Sequence, residues 1–208
     1  MSRLLRDPTH YSKPRKLKKC YFCGKLGHGT KACKIEKLVA PRMKIIIGNY
    51  MENYISSNFQ CPSCNCNTLE VLGDCTPSLD IKCSNCNKNY EIKSKCLSVD
   101  KIPNDLLLHH GQYNKYMERQ SKGLDFIIII YSVNRIMKNI IIREIMHIKH
   151  KDIIQRKCIS ISRNVKTNNS IITIPNKHHS KINKFNIPLN NIISFKRDVN
   201  NIIRRLED

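Results

Sequence analysis

Acidic residues are scarce in this chain: 16 Asp and Glu stand against 37 Lys and Arg, a net charge of +21. Self-repulsion of that size argues against a protein that ordinarily works without a polyanion, and nucleic acid is the natural partner. Long apolar runs are also missing. The longest, such as Phe126 to Tyr131, fall far short of the roughly 20 residues a membrane-spanning helix needs. Neither a signal peptide nor a lipidation signal is seen, so a soluble intracellular protein is expected and a membrane partner is not. No repeat of regular period runs through the sequence. Tryptophan is absent while Ile, Asn and Lys abound, a coding bias typical of AT-rich genomes, some large DNA viruses included; it speaks of origin, not of function. Cysteine is what the chain does have. There are 11, an odd number, and eight sit in or beside clusters with metal-ligand spacing, which fits bound zinc in a reducing compartment better than a secreted disulfide framework.

The first cluster is Cys20-x2-Cys23-x4-His28-x4-Cys33. Three thiolates and one imidazole within so short a segment form a closed tetrahedral zinc set, and metal binding would be the folding free energy of a piece too small to bury a core. The segment resembles the retroviral-type CCHC zinc knuckle beyond its ligands: Tyr21 follows the first Cys, Gly24 follows the second, and Gly27 precedes His28. The family grips single-stranded nucleic acid by stacking bases on exposed aromatics and pairing phosphates with cations. The resemblance therefore implies contacts from Tyr21, Phe22, Lys25 and Lys31, together with Lys16, Lys18 and Lys19 of the preceding arm. One departure is Gly29, where many members carry a bulky side chain, which weakens the stacking expected here.

Residues 1–19 combine seven cationic side chains with Pro8 and Pro14 and little to bury, the composition of a disordered basic arm. A core of about residues 40–150 follows, then a basic, Asn-rich extension over 151–208. Pro41 suits a first helical turn, and Ile46, Ile47, Tyr50, Met51, Tyr54 and Ile55 recur at the spacing of a core-facing helical stripe. Thr68–Leu72, Leu79–Lys82 and Asn89–Lys95 read as strands, with a turn at Cys83–Lys88. A helix starting between Pro103 and Gly111 runs to about Gln120, and Leu124–Val133 and Ile140–Ile148 read as two more strands, the first buried on both faces by its Ile run. The extension holds a strand-like run at Ser170–Ile174 and an amphipathic helix spaced by Ile192, Phe195, Val199, Ile202, Ile203 and Leu206. His178-His179 reads as a surface pair, and Cys75, Cys96 and Cys158 as small buried hydrophobes.

The second cluster pairs Cys61-x2-Cys64 with Cys83-x2-Cys86, the spacing of a four-cysteine zinc ribbon inserted over 61–86. Cys66 competes with Cys64 for the fourth position. Because Cys83 and Cys86 occupy the turn between two strands, the metal would pin their register.

In that hairpin, alternation sets Asp80 and Lys82 on one face of the first strand and Glu91, Lys93 and Lys95 on one face of the second; if Asp80 pairs near Glu91, the two carboxylates and an ammonium meet. Two carboxylates and an ammonium on one face are what a divalent-metal phosphodiesterase requires. The order Pro77-Ser-Leu-Asp80, Glu91-Ile-Lys93 and Gln112-Tyr-Asn-Lys-Tyr116 resembles the PD-(D/E)xK nuclease superfamily, in particular its RecB-like branch. Pro77 is not adjacent to Asp80, which loosens the motif. The resemblance implies a restriction-endonuclease-like α+β or α/β fold, a mixed sheet flanked by helices, beside the small knuckle. It implies that Asp80 and Glu91 bind Mg²⁺, that Lys93 is the catalytic lysine, and that Gln112 and Tyr116, sharing one helix face, contact the site or substrate. The expectation is a nucleic-acid-binding protein with two structural Zn²⁺ sites, acting on DNA or RNA as a metal-dependent nuclease or as a non-catalytic binder.

Overall fold

The computed structural model describes residues 33–73, 79–97, 105–120, 123–134, 138–155, 159–188 and 191–207. The basic arm and the CCHC segment lie outside the described residues except for Cys33, which is buried where the first helix begins. Cys75 and Cys158 also lie outside them.

Helix α1 spans Lys34–Asn58. It starts well before Pro41, so that proline lies inside the helix and not in its first turn. The ring removes one i to i−4 bond, a local loss that a helix anchored downstream can absorb. The anchor is the expected stripe: Met51, Tyr54 and Ile55 are buried, and Ile46, Ile47 and Tyr50 pack partly buried beside them.

Strands β1 (Leu69–Val71), β2 (Ile81–Cys83) and β3 (Asn89–Cys96) form an antiparallel meander. The chain then passes through β4 (Leu106–Gln112) and α2 (Tyr113–Gln120) before β5 (Asp125–Asn134) returns parallel to β3. Strand β6 (Asn139–Ile148) closes a long antiparallel pair with β5. A short helix α3 (His150–Gln155) leads to the hairpin β7 (Ser160–Asn164) and β8 (Asn169–Ile174). After a 3₁₀ turn at Asn176–Lys181 come β9 (Asn183–Lys184), β10 (Ile192–Ser194) and helix α4 (Lys196–Glu207).

The main sheet runs β1-β2-β3-β5-β6-β10, with β9 also paired to β6; a second sheet runs β4-β8-β7. Residues Asp125 to Ser132 of β5 are all buried, because this central strand is covered on both faces. Alternation then sorts its side chains. Ile127, Ile129 and Tyr131 join Met51, Ile55, Ile81 and Tyr90 beneath α1, while Phe126, Ile128 and Ile130 join Leu106, Leu108, Tyr116, Ile172 and Ile174 beneath α2 and the second sheet. At about 25 cal/mol per Å² of apolar surface, burial of these two clusters is the dominant stabilising contribution. Among the described residues no helix is long and apolar enough to cross a membrane.

Four further sequence expectations need correction. The segment before α2 is a strand: Leu106–Gln112 pairs with β8, and the Leu-Leu-Leu-His-His run reads as helix or strand until its partner is known. Ile192 belongs to β10, paired with Ile141, and the terminal helix begins only at Lys196. His179 is buried, its Nε2 3.2 Å from the Ile174 carbonyl, so it supports the 3₁₀ turn and is not a surface residue. Cys96 is exposed, since it is the last residue of β3, past the stretch of that strand that the core covers.

Candidate functional site

The β2–β3 hairpin carries a metal-binding arrangement at one end and a carboxylate cluster at the other. At the turn end, the Sγ atoms of Cys61, Cys64, Cys83 and Cys86 all lie within 4.8 Å of one another. Cys61 and Cys86 are 3.7 Å apart, and Cys64 and Cys83 are 3.6 Å apart. Thiolates about 2.3 Å from a central tetrahedral zinc are separated by about 3.8 Å, so this donor set fits Zn²⁺.

The two Cys-x2-Cys loops are built alike. The Cys61 N–H donates to the Cys66 carbonyl at 2.9 Å, and the Cys83 N–H donates to the Lys88 carbonyl at 2.8 Å. Each loop turns through an Asn in the left-handed region directly after its second cysteine, Asn65 (φ 56°) and Asn87 (φ 56°). Asparagine tolerates that conformation better than most residues. Cys66 is excluded from the set. Its thiol lies 3.5 Å from the Cys64 carbonyl and takes the Asn85 amide at 3.4 Å, while Cys64 is the fourth donor of the cluster. Around the ligands, the Thr68 hydroxyl lies 3.0 Å from Cys83 Sγ and the Tyr90 hydroxyl 3.1 Å from Cys61 Sγ. Such contacts fix ligand orientation.

At the other end, Asp80 stands one residue before β2. Extending the Ile81↔Tyr90 register by one step sets it opposite Glu91. Its Oδ2 accepts the Ile92 N–H at 2.6 Å. Tyr90 and Ile92 face the α1 core, so Glu91 and Lys93 project to the opposite face, where their β5 neighbours are Phe126 and Ile128. Glu91 is buried, and the Lys93 ammonium is paired with its Oε1. Burial, and next the charge of Glu91, push the Asp80 carboxyl up to about 6 against the opposing pull of Lys93 and the Ile92 N–H.

Tyr116 is fully buried on α2, its ring stacked on Phe126 with centroids 5.8 Å apart. Burial, then the Glu91 charge, raises its hydroxyl pKa. Gln112 departs from the expectation. It is the last residue of β4, exposed and opposite Asn169, and shares no helix face with Tyr116 because α2 begins only at Tyr113. Asp80, Glu91, Lys93 and Tyr116 are thus brought together, and two hard oxygen donors with an adjacent ammonium suit a divalent cation such as Mg²⁺.

One buried network escaped the sequence reading. Asp125, opposite Tyr90 on β5, receives Lys88 Nζ at 3.1 Å and the His150 N–H at 2.9 Å on Oδ1, and lies 3.1 Å from His147 Nε2 through Oδ2. Burial alone would raise its carboxyl; the hydrogen bonds from His147 and His150 and the Lys88 charge outweigh burial and hold it below the usual carboxylate range. The available signal was an aspartate heading an otherwise apolar strand, since a charge buried there requires partners.

The family model described as DpnI: Dam-replacing family matches residues 41–198, from within α1 to the first turn of α4, and so includes both ends of the hairpin and the strands added after residue 150. The parallel return of β5 beside an antiparallel meander is the mixed sheet expected of a restriction-endonuclease-like domain. The chain belongs to the Dam-replacing family, a restriction-endonuclease-like family, and carries a nuclease-like domain.

Proposed function

We propose that this protein is a divalent-metal-dependent nuclease that hydrolyses phosphodiester bonds in DNA, with its site at Asp80, Glu91 and Lys93. The observation that carries the reading is the facing pair Asp80 and Glu91, with Lys93 ion-paired to Glu91, in a chain of restriction-endonuclease-like family. An Asp carboxyl pushed up to about 6 beside a second buried carboxylate is an electrostatic liability without a cation, and bound Mg²⁺ relieves it. A bound cation supplies Lewis-acid polarisation of the phosphoryl oxygen and acidifies water. Lys93 orients the attacking water and offsets charge developing on the phosphate, and Tyr116 holds the Glu91 side of the site in place. Hydrolysis adds water across one P–O ester bond, leaving a phosphate monoester on one fragment and a hydroxyl on the other.

The CCHC segment Cys20, Cys23, His28 and Cys33, with the basic arm, would bind a second Zn²⁺ and hold single-stranded regions near this domain, through Tyr21, Phe22 and the flanking lysines. The test is cleavage of plasmid and of single- and double-stranded oligonucleotides by zinc-loaded protein, with and without Mg²⁺ or Mn²⁺. Asp80→Ala and Lys93→Ala are expected to lower the cleavage rate by about 10²-fold or more while DNA binding persists. Wild-type protein that binds DNA and cleaves none under any of these conditions would instead establish a non-catalytic binding protein.

A further inference from the structure

An open cleft of about 360 Å³ lies beside the four-cysteine cluster, lined by Pro62, Ser63, Lys88, Asp125, Lys149 and Lys151 among others. Its walls come from separate elements. Pro62 and Ser63 lie inside the first Cys-x2-Cys loop, and the Ser63 hydroxyl is 2.8 Å from that of Tyr90. Asp125 opens the central strand, and Lys149 joins β6 to α3.

The charges of the cleft do not balance. Its single carboxylate, Asp125, is already occupied by Lys88, His147 and the His150 N–H. Lys88 is in turn committed, donating also to the Gly123 carbonyl at 3.0 Å. Among the described residues, no carboxylate pairs with Lys149 or Lys151, and the half-buried His150 imidazole lies between them in sequence. Ammonium groups converging on a concave wall repel one another and focus a positive field, an arrangement suited to an anion.

We infer that this cleft is a phosphate-binding site for the backbone of the nucleic acid the nuclease site acts on, with Lys149 and Lys151 as its cationic contacts. The occupant follows from the proposed nuclease reading. Asp125 is level with Tyr90, one residue before Glu91 along β3, so the cleft sits about 3.3 Å of strand rise from the level of Glu91, on the opposite face of the sheet. A polynucleotide passing the start of β3 and β5 reaches both, so a phosphate held here fixes the strand while another lies at the carboxylates. Preorganisation by the metal-pinned loop makes this contact more than diffuse attraction.

The experiment measures fluorescence anisotropy of a labelled DNA duplex with full-length, zinc-loaded protein across a salt series, without added Mg²⁺. Lys149→Ala/Lys151→Ala is expected to bind about tenfold more weakly and to lower the log–log salt slope by about two. The control Lys196→Ala/Arg204→Ala removes the same charge from the exposed side of α4 and is expected to change affinity less than about twofold. Inorganic phosphate, at constant ionic strength, should compete with DNA more effectively on wild type than on the cleft variant. Wild-type affinity in the cleft variant, or equal losses in both double variants, would overturn the inference. Binding is read without turnover, so this result stands apart from the Asp80 and Lys93 cleavage test, which alone decides the nuclease reading.

Discussion

The two ends of the β2–β3 hairpin follow opposite rules. At the cysteine end the loops have matched N–H bonds and left-handed Asn turns, and hydroxyls from Thr68 and Tyr90 lie at two of the four sulfurs. Four thiolates would complete the coordination of a zinc ion and leave no place for substrate, the donor set of a structural site. At the carboxylate end two acids face each other and one is pushed up to about 6. That arrangement is a local cost to folding, and such costs concentrate where chemistry is done. Tyr90 and Glu91 are neighbours in β3, so a metal bound at the cysteine end would also hold the carboxylate end in register.

The largest effect expected from breaking this contrast is at the satisfied end. Cys83→Ser removes a ligand from a site whose metal is worth on the order of 10 kcal/mol of folding free energy in small zinc domains. Substoichiometric zinc and loss of a cooperative melting transition are expected. Full stability without metal would show that the cluster does not pin the hairpin.

The next effect comes from the network behind Tyr90. Asp125→Ala leaves Lys88 and His147 beside an empty position and is expected to cost about 3–5 kcal/mol by denaturant titration at neutral pH. The sign with pH follows from a carboxyl held below its usual range. The stability it contributes is present above the unfolded-state value and is lost as pH falls through the lower folded value, so variant and wild type should converge in acid.

The smallest effect has the opposite sign. The Asp80 carboxyl is raised, so the folded protein favours its neutral form, and the stability tied to that proton is lost as pH rises from the ordinary carboxylate range through about 6. Asp80→Asn is therefore expected to stabilise the protein at pH 7.5 without divalent cation by about 1–3 kcal/mol, with the gain vanishing near pH 4. Destabilisation at pH 7.5 would show that Asp80 is a structural partner of Ile92 and not a metal ligand in waiting.

Much of this organisation was legible in the sequence because its signals are local. The spacing of Cys61, Cys64, Cys83 and Cys86, the stripe Met51–Ile55 and the Ile run of β5 each carry their own period. Alternation set Glu91 and Lys93 on one face of their strand, and the register of Ile81 with Tyr90 then sets Asp80 opposite Glu91. What escaped depends on distant pairing. Strand β4 is defined by β8, whose first residue lies far along the chain, and without that partner the register that makes Gln112 a strand end cannot be read. His179 and Asp125 are buried by elements remote in sequence, and their partners, Ile174 and the His147–Lys88 pair, become neighbours only after folding. The choice between Cys64 and Cys66 likewise waited on the turn at Asn65.

The central claim is that Asp80 and Glu91 together hold a divalent cation. Calorimetric titration of Mn²⁺ into protein already saturated with zinc tests it directly. The account predicts one added Mn²⁺ per chain, lost in Asp80→Asn/Glu91→Gln while zinc content and fold are unchanged. Undiminished Mn²⁺ binding in that variant, or none in the wild type, would contradict it.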